Sequence, residues 1–251
     1  MPSRTPRASG ADPAGSELGQ EGLLPAAVRL AGELPAARAV VGILRGWGQA
    51  DRDRARTLRR RLARQGIRAV DLSPAPEAAQ GHHAPRARQR PRVHFLLYVG
   101  GSPQDRALRA AALWDLPLLI ERPPHESPSE LIGFSAHRRD VIGIHLPGDD
   151  LDIAVRQATI TCLQPHAGSA SLLLDNEKIT APAEQPLRIY LTSQGVLQVH
   201  SDAFATRRVG RLRYARPWGA YRLDIDGTPA LDVRAPLRLE PMPGRLHLLH
   251  P

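Results

Sequence analysis

The pattern of hydrophobic and polar positions changes character along this chain. Up to about residue 120, short continuous apolar runs alternate with segments of helical period, and beyond about Asp152 the apolar residues recur at every second position. Continuous runs are typical of parallel strands buried on both faces, and strict alternation is typical of half-buried antiparallel strands. The sequence therefore predicts an α/β part with a parallel sheet followed by an all-β, sandwich-like part.

In the first part, the apolar runs predict four strands and the intervening segments predict two helices. The strands are expected at 39–44, 67–72, 93–99 and 116–120, and the helices at 51–65 and 103–114. Ala55, Leu58 and Leu62 form the narrow apolar stripe of the first of these helices, and Gly66 stands where a helix ends. Strand, helix and strand in this order make a βαβ unit.

The last residues of the chain predict antiparallel hairpins. Tyr221, Leu223 and Ile225 alternate with charged residues, and Asp226-Gly227 follows as a tight turn. A weak repeat accompanies this pattern, because Asp175-Asn176 precedes a Pro-Leu-Arg segment much as Asp226-Gly227 does about fifty positions later. The repeat fits a shared hairpin design better than a duplication, because Pro-Leu-Arg is short enough to recur by chance in a chain rich in Arg and Leu.

Composition shifts divide the chain into three segments. Residues 1–36 are predicted to be a disordered or partly helical arm, because 1–22 are small, polar and rich in Pro and Gly, while 23–34 have the length of a short helix. Residues 37–150 are predicted to form the α/β domain and residues 151–251 the β domain. Two Pro-rich stretches, 73–92 and 121–130, are expected to be loops.

The residues that resemble a known family lie at the end of the chain and at one strand–helix junction. Residues 221–251 combine a strand, an Asp-Gly turn and a Pro-Gly hairpin, and Gly100-Gly101 ends a strand directly before a helix. This layout resembles the bacterial diacylglycerol/lipid kinase family, part of the NAD kinase-like superfamily. The resemblance implies a Rossmann-like three-layer α/β domain followed by a β-sandwich-like domain. It also implies ATP and Mg²⁺ as cofactors if the chain is active, with a lipid hydroxyl as the acceptor.

The nucleotide-binding residues follow from the chemistry of strand–helix junctions. Backbone N–H groups of glycines at such a junction can bind phosphate oxygens, and an arginine nearby can neutralise them. The predicted nucleotide-binding residues are therefore Arg45, Gly46, Gly100, Gly101 and Ser102. A competing interpretation makes Ser102 the N-cap of the helix, with Pro103 in its first position.

The chain departs from the family pattern at three places. The family reads Gly-Gly-Asp-Gly-Thr at the junction, where this chain reads Gly100-Gly101-Ser102-Pro103-Gln104. The family's Asn-Pro after the first strand is Arg45-Gly46 here, and its Asp-Gly-Glu turn is Asp226-Gly227-Thr228. Asp226 is the one candidate for a catalytic residue, and the alternative is that it serves only as a turn residue. These losses predict a catalytically degenerate lipid kinase-like protein that binds a nucleotide, lipid or protein partner, with an active ATP-dependent lipid kinase as the alternative.

Charge adds a further alternative. Residues 1–92 hold 17 arginines against 8 acidic residues, so they carry the whole net charge of +9. Such asymmetry can indicate an anionic lipid surface or a nucleic acid as partner, although a strong preference for Arg over Lys also fits a compositional bias. A basic nucleic-acid-binding protein is therefore the least favoured of the three functions.

The remaining observations concern location and assembly. The single cysteine, Cys162, excludes an intramolecular disulfide and a cysteine-based zinc cluster, and no spacing of residues specifies a metal site. No segment has the pattern of a signal peptide or a membrane span, so the chain is expected to be cytoplasmic. Strand edges in the last domain offer a route to a homodimer.

Overall fold

A computed structural model describes residues 15–34, 39–46, 48–72, 90–100, 105–120, 135–147, 150–163, 168–215, 220–234 and 236–250. The helices are α1 (Gly15–Gly32), α2 (Gln49–Arg64) and α3 (Asp105–Trp114). The first strands are β1 (Val40–Arg45), β2 (Arg68–Asp71), β3 (Phe95–Val99), β4 (Leu118–Leu119), β5 (Ser135–Leu146), β6 (Asp150–Ala154), β7 (Gln157–Cys162) and β8 (Ser169–Leu174). The others are β9 (Glu177–Pro182), β10 (Leu187–Leu191), β11 (Leu197–Ser201), β12 (Phe204–Val209), β13 (Leu212–Ala215), β14 (Ala220–Ile225), β15 (Thr228–Arg234) and β16 (Leu237–His250).

The first four strands form the predicted parallel sheet, in the order β2-β1-β3-β4. α2 packs on one face of this sheet through Ala55, Leu58 and Leu62, the stripe that the sequence predicts. α3 packs on the opposite face, where Ala111 and Leu113 are buried. Helices on both faces of a parallel sheet make the three-layer arrangement.

Helix boundaries differ from the predictions mainly at the N-terminus. α1 begins at Gly15, eight residues before the short helix predicted over 23–34, and Pro25 lies inside it. α2 ends as predicted, because Gly66 has a φ of +75° directly after the C-cap residue Gln65. That left-handed conformation is cheap only for glycine. The predicted loop over 121–130 lies outside the described residues, as does most of the predicted 73–92 loop.

The antiparallel strands begin earlier than the predicted change near Asp152, because β5 is already an antiparallel strand from Ser135. β5 pairs with β6 and runs along almost the whole of β16. Its first half is polar and its second half, around Val141, Ile142 and Ile144, is nearly continuous in apolar residues. A strand with no clean alternation gives no period to recognise.

The C-terminal part is a sandwich of two antiparallel sheets. One is the six-stranded sheet β12-β11-β10-β7-β14-β15, and the other contains β5, β6, β16, β13, β8 and β9. Their inner faces share one core, in which Ile160 and Tyr221 of one sheet meet Ile142, Leu212 and Leu239 of the other. The predicted fold class, an α/β part followed by a β-sandwich-like part, is confirmed.

β16 connects the two parts of the fold. Its N-terminal half pairs with β13 in the sandwich, and its last residues pair in parallel with β4, where Leu248 faces Leu118. A single ten-stranded sheet thus runs from the parallel strands into the sandwich. The predicted domain division at residues 150 and 151 stays a prediction. Within the described residues, no helix is long and apolar enough to cross a membrane.

Candidate functional site

Three of the predicted nucleotide-binding residues meet at one edge of the parallel sheet. The chain places β2 on one side of β1 and β3 on the other, so the strand order reverses between β1 and β3. Arg45 lies beside Val99 in register, and the N–H of Gly46 donates to the carbonyl of Val99 at 3.1 Å. Gly100 follows directly. In open α/β sheets, ligands bind outside the carboxyl ends of strands at such a reversal. Gly101 and Ser102 lie outside the described residues.

The guanidinium of Arg45 is engaged by its neighbours at this edge. Its Nε lies 3.4 Å from Oδ2 of Asp71, the last residue of β2, and the same guanidinium donates to the carbonyl of Gly46 at 3.4 Å. The side chain is 19% exposed. An incoming phosphate at Arg45 would therefore compete with a carboxylate that is already in place.

The first turn of α2 places a second carboxylate at this edge. Asp51 lies so close to Gly46 that a Cβ at residue 46 would collide with its carboxylate. A side chain at residue 46 would therefore force the Asp51 carboxylate to move. On the neighbouring strand, a Cβ at Gly100 would lie 2.8 Å from the hydroxyl of Tyr98. The side chains of Asp51 and Tyr98 thus occupy the space beside the two glycines that the resemblance assigns to phosphate binding.

Asp226 forms the predicted turn between β14 and β15. It has a φ of +51°, and Gly227 follows with +76°, which is the geometry of a tight hairpin turn. Its carboxylate accepts three backbone N–H groups, from Val155 at 2.8 Å, Arg156 at 2.7 Å and Gln157 at 3.0 Å. These bonds hold the connection between β6 and β7. A catalytic role for Asp226 stays a prediction.

The weak repeat in the sequence has a structural counterpart at Asp175, in the turn between β8 and β9. Asp175 also has a positive φ, +52°, and its carboxylate accepts the N–H groups of Gly210 and Arg211. Its own N–H donates to the carbonyl of Arg211, as that of Asp226 donates to Gln157. The repeat is thus a shared turn design in which an aspartate binds the segment that begins a neighbouring strand of the same sheet, β13 for Asp175 and β7 for Asp226.

The connection that Asp226 holds lies against the beginning of α3. The guanidinium of Arg156 is 2.6 Å from the carboxylate of Asp105, the first residue of α3. The Asp226 turn is therefore brought near the helix that follows Gly100, although the two are far apart in the sequence. This ion pair is largely exposed at its arginine end, and it joins the α/β part to the sandwich.

Beside this ion pair lies a cleft of about 480 Å³, which we call the arginine cleft. It is lined by residues of β5, the connection after β6, and the end of β10 with the turn that follows it: Arg138, Arg139, Asp140, Val155, Arg156, Leu191, Thr192 and Ser193. The lining contains three arginines and one aspartate, Asp140, whose carboxylate accepts the N–H of Gly244 at 2.8 Å. The balance of charge suits an anion. Arg138 and Arg139 were not predicted as site residues, and the one signal for them in the sequence is two adjacent arginines in a polar half-strand.

A metal site is not found in the part of the chain that the structure describes. No three His, Cys, Asp or Glu side chains there lie close enough together to hold an ion. Mg²⁺ prefers an octahedral shell of oxygen ligands, to which proteins contribute one or two carboxylates beside substrate phosphates. Asp71 pairs with Arg45 and Asp105 pairs with Arg156, so the residues at this edge do not fit the ion well.

Comparison with known proteins bears on the fold. No protein-family model and no curated protein matches the chain. Among solved structures it is similar to yeast NADH kinase in complex with NADH, with a TM-score of 0.57 over 86% of this chain and 84% of that chain. The chain has an NAD kinase-like fold. At 13% identity the similarity extends to the fold alone, so membership of the diacylglycerol kinase family and loss of catalysis stay predictions.

Proposed function

We propose that the chain binds the phosphate groups of a nucleotide in the arginine cleft and does not transfer a phosphoryl group. The observation that carries this proposal is the position of Arg138, Arg139 and Arg156 around one cleft beside the first turn of α3. The same fold holds a dinucleotide in yeast NADH kinase. The residues that line the cleft belong to the sandwich, and Arg156 connects it to the α/β part through its ion pair with Asp105. Ligands often bind close to such connections between parts of a fold.

Arginine suits this task because its guanidinium presents a planar fork of N–H donors. The fork matches two phosphate oxygens at once and keeps its charge at every physiological pH. Of the three arginines, only Arg156 has an ion-pair partner among the described residues. That partner is Asp105, and the Arg156 side chain remains largely exposed in the pair. Arg138 and Arg139 are exposed on β5 and remain available to an anion.

The absence of phosphoryl transfer follows from the groups that the reaction requires. Transfer needs neutralisation of the phosphate charge and a base or positioning group for the acceptor hydroxyl. The carboxylate of Asp226 already accepts hydrogen bonds from three backbone N–H groups. Thr228 stands where the family's turn has a glutamate. The alternative, an active ATP-dependent lipid kinase, would require the Asp226 carboxylate to give up its hydrogen bonds to the backbone.

Calorimetric titration with ATP, ADP and NADH, with and without Mg²⁺, tests the binding half of this proposal. We expect the wild-type protein to bind at least one of them at micromolar concentration, and the variant R138Q/R139Q to bind about tenfold more weakly or worse. The matched control is R59Q/R60Q, which removes two exposed arginines from the outer face of α2. Absence of binding at millimolar nucleotide, or equal losses in both variants, would overturn it.

A transfer assay with radiolabelled ATP and a dispersed diacylglycerol tests the second half. We expect no labelled lipid above the background of a reaction without protein. Turnover that disappears in Asp226→Asn, measured on protein shown to be folded, would establish the active lipid kinase instead. The presence or absence of labelled lipid decides on phosphoryl transfer independently of the calorimetric result.

A further inference from the structure

A row of basic residues crosses the outer face of the larger sheet of the sandwich, away from the arginine cleft. On four neighbouring strands, Leu173 of β8 faces Arg213 of β13, Arg213 faces Arg238 of β16, and Arg238 faces His145 of β5. On the other side, Leu173 faces Lys178 of β9, the one lysine of the chain. Residues in register lie on the same face of a sheet, so these side chains form one line, the basic row.

The basic row carries more positive charge than its surroundings neutralise. The carboxylate of Glu240 lies 2.8 Å from Nε2 of His145 and 3.4 Å from the guanidinium of Arg238. Arg213 and Lys178 have no ion-pair partner among the described residues. Arg213 and Arg238 stand directly opposite each other, and like charges in that relation destabilise a sheet. A bound anion would relieve this repulsion.

A cavity of about 520 Å³ lies over the row, and its lining is chemically divided. His145, Arg213 and Arg238 of the row line it together with Arg211. Its other walls are aliphatic, formed by residues that include Leu146, Pro147, Leu173 and Pro236. No Phe, Tyr or Trp occurs among the described residues that line it, so it offers no aromatic surface on which a nucleobase could stack.

We propose that this cavity binds a phosphate monoester that carries an aliphatic chain. Arg211, Arg213 and Arg238 supply guanidinium groups, which favour a phosphate over a singly charged anion. The aliphatic walls gain free energy only if the ligand also has an apolar part that leaves water. The proposal does not depend on nucleotide binding in the arginine cleft, because the two sites share no residue.

The test uses n-hexyl phosphate as the probe, with inorganic phosphate and n-hexanol as its two halves, measured by calorimetry on the full chain. We expect hexyl phosphate to bind at least tenfold more tightly than inorganic phosphate, and hexanol not to bind measurably. In R213Q/R238Q the affinity for hexyl phosphate should fall at least tenfold. In R188Q/R207Q, which removes two exposed arginines from the opposite sheet, it should stay within a factor of two.

Two further arms keep the result decisive. The same titrations in the R138Q/R139Q background, which weakens phosphate binding in the arginine cleft, should keep the preference for hexyl phosphate over inorganic phosphate, and this separates the two sites. Vesicles of phosphatidylcholine with phosphatidate distinguish a dissolved ligand from a membrane surface. Binding of those vesicles without binding of hexyl phosphate would overturn the cavity proposal. So would equal affinities of hexyl phosphate and inorganic phosphate, or an unchanged affinity in folded R213Q/R238Q.

Discussion

The guanidinium of Arg109 and the carboxylate of Asp152 form a two-point ion pair that is buried between α3 and β6. Nε of Arg109 donates to Oδ1 of Asp152 at 2.8 Å, and a terminal nitrogen of the guanidinium contacts Oδ2. Both side chains are less than a tenth exposed, and Oδ1 also accepts the N–H of Ile153. Like the more exposed contact of Arg156 with Asp105, this ion pair joins the α/β part to the sandwich.

Removal of one partner of this buried pair should destabilise the protein strongly. We expect Asp152→Ala to lower the free energy of unfolding by about 3–5 kcal/mol, because it leaves the Arg109 charge buried and unpaired. Replacing both residues, in the double variant Arg109→Met/Asp152→Leu, should recover most of the lost free energy of unfolding. Urea unfolding of the wild type and the two variants measures these differences in the free energy of unfolding. A loss below about 1 kcal/mol in Asp152→Ala would contradict the burial of the pair.

The two turn aspartates should differ in their contribution to stability. Asp226→Ala removes the acceptor of three backbone N–H groups and places alanine at a positive φ, so we expect a loss of roughly 2–4 kcal/mol. Asp175→Ala should cost less, because its turn is more exposed and its carboxylate accepts two N–H groups. Asp226→Asn, which tolerates the turn, should fall between wild type and Asp226→Ala. A larger loss for Asp175→Ala would refute the comparison.

Tyr221 should make the protein sensitive to alkali. Its side chain is fully buried, its hydroxyl has no hydrogen-bond partner among the described residues, and its ring stacks edge-on against Tyr214 at 4.9 Å. Burial, and secondarily the charge of Tyr214, raise the pKa of Tyr221 well above its ordinary value of 10.0. Only the unfolded chain then ionises readily, so this contribution to stability is complete below pH 10 and declines above it.

Tyr221→Phe tests this dependence. The substitution removes an unsatisfied buried hydroxyl, so we expect a gain of about 1 kcal/mol at neutral pH. Thermal unfolding followed from pH 8 to pH 11 should show a smaller alkaline loss of stability in the variant than in the wild type. Parallel curves in the two proteins would show that Tyr221 does not govern alkaline unfolding.

Gly46 should tolerate a side chain only if Asp51 is removed. Gly46→Ala brings a methyl group against the Asp51 carboxylate, so we expect a loss of roughly 1–3 kcal/mol. The double variant G46A/D51A should recover most of it, and the double-mutant cycle measures the coupling. Gly32→Ala is the control, because a Cβ there meets open space at the end of α1. Additive effects of the two substitutions would contradict the steric relation.

The sequence predicted the elements whose signal is local. β1, α2 and β3 each gave a continuous apolar run or a narrow helical stripe, and Asp226-Gly227 gave a turn signal that the structure confirms. Arg45, Gly46 and Gly100 lie together in the structure, because parallel strands align their carboxyl ends at one edge, and their role in nucleotide binding stays a prediction. The strand ends were less accurate: the predicted strand over 116–120 is two residues long in the structure.

The rest depended on contacts between distant residues. The pairing of Arg109 with Asp152 joins positions 43 apart, and neither residue differs in sequence from an ordinary surface charge. The arginine cleft needs β5, the connection after β6 and the turn after β10 to meet, which no single window of sequence records. The basic row likewise exists only through the register of five strands.

The parallel pairing of β4 with the end of β16 has a consequence for synthesis on the ribosome. Leu118 cannot form its strand pairing until Leu248, 130 positions later, has been synthesised. At the usual elongation rate of roughly 5–20 residues per second, that interval is on the order of ten seconds. During it, the edge of the nascent parallel sheet at Leu118 and Leu119 has an unpaired, fully apolar strand exposed. The newly made chain is then most vulnerable to pairing with a neighbouring chain, and a chaperone that covers this edge would protect it.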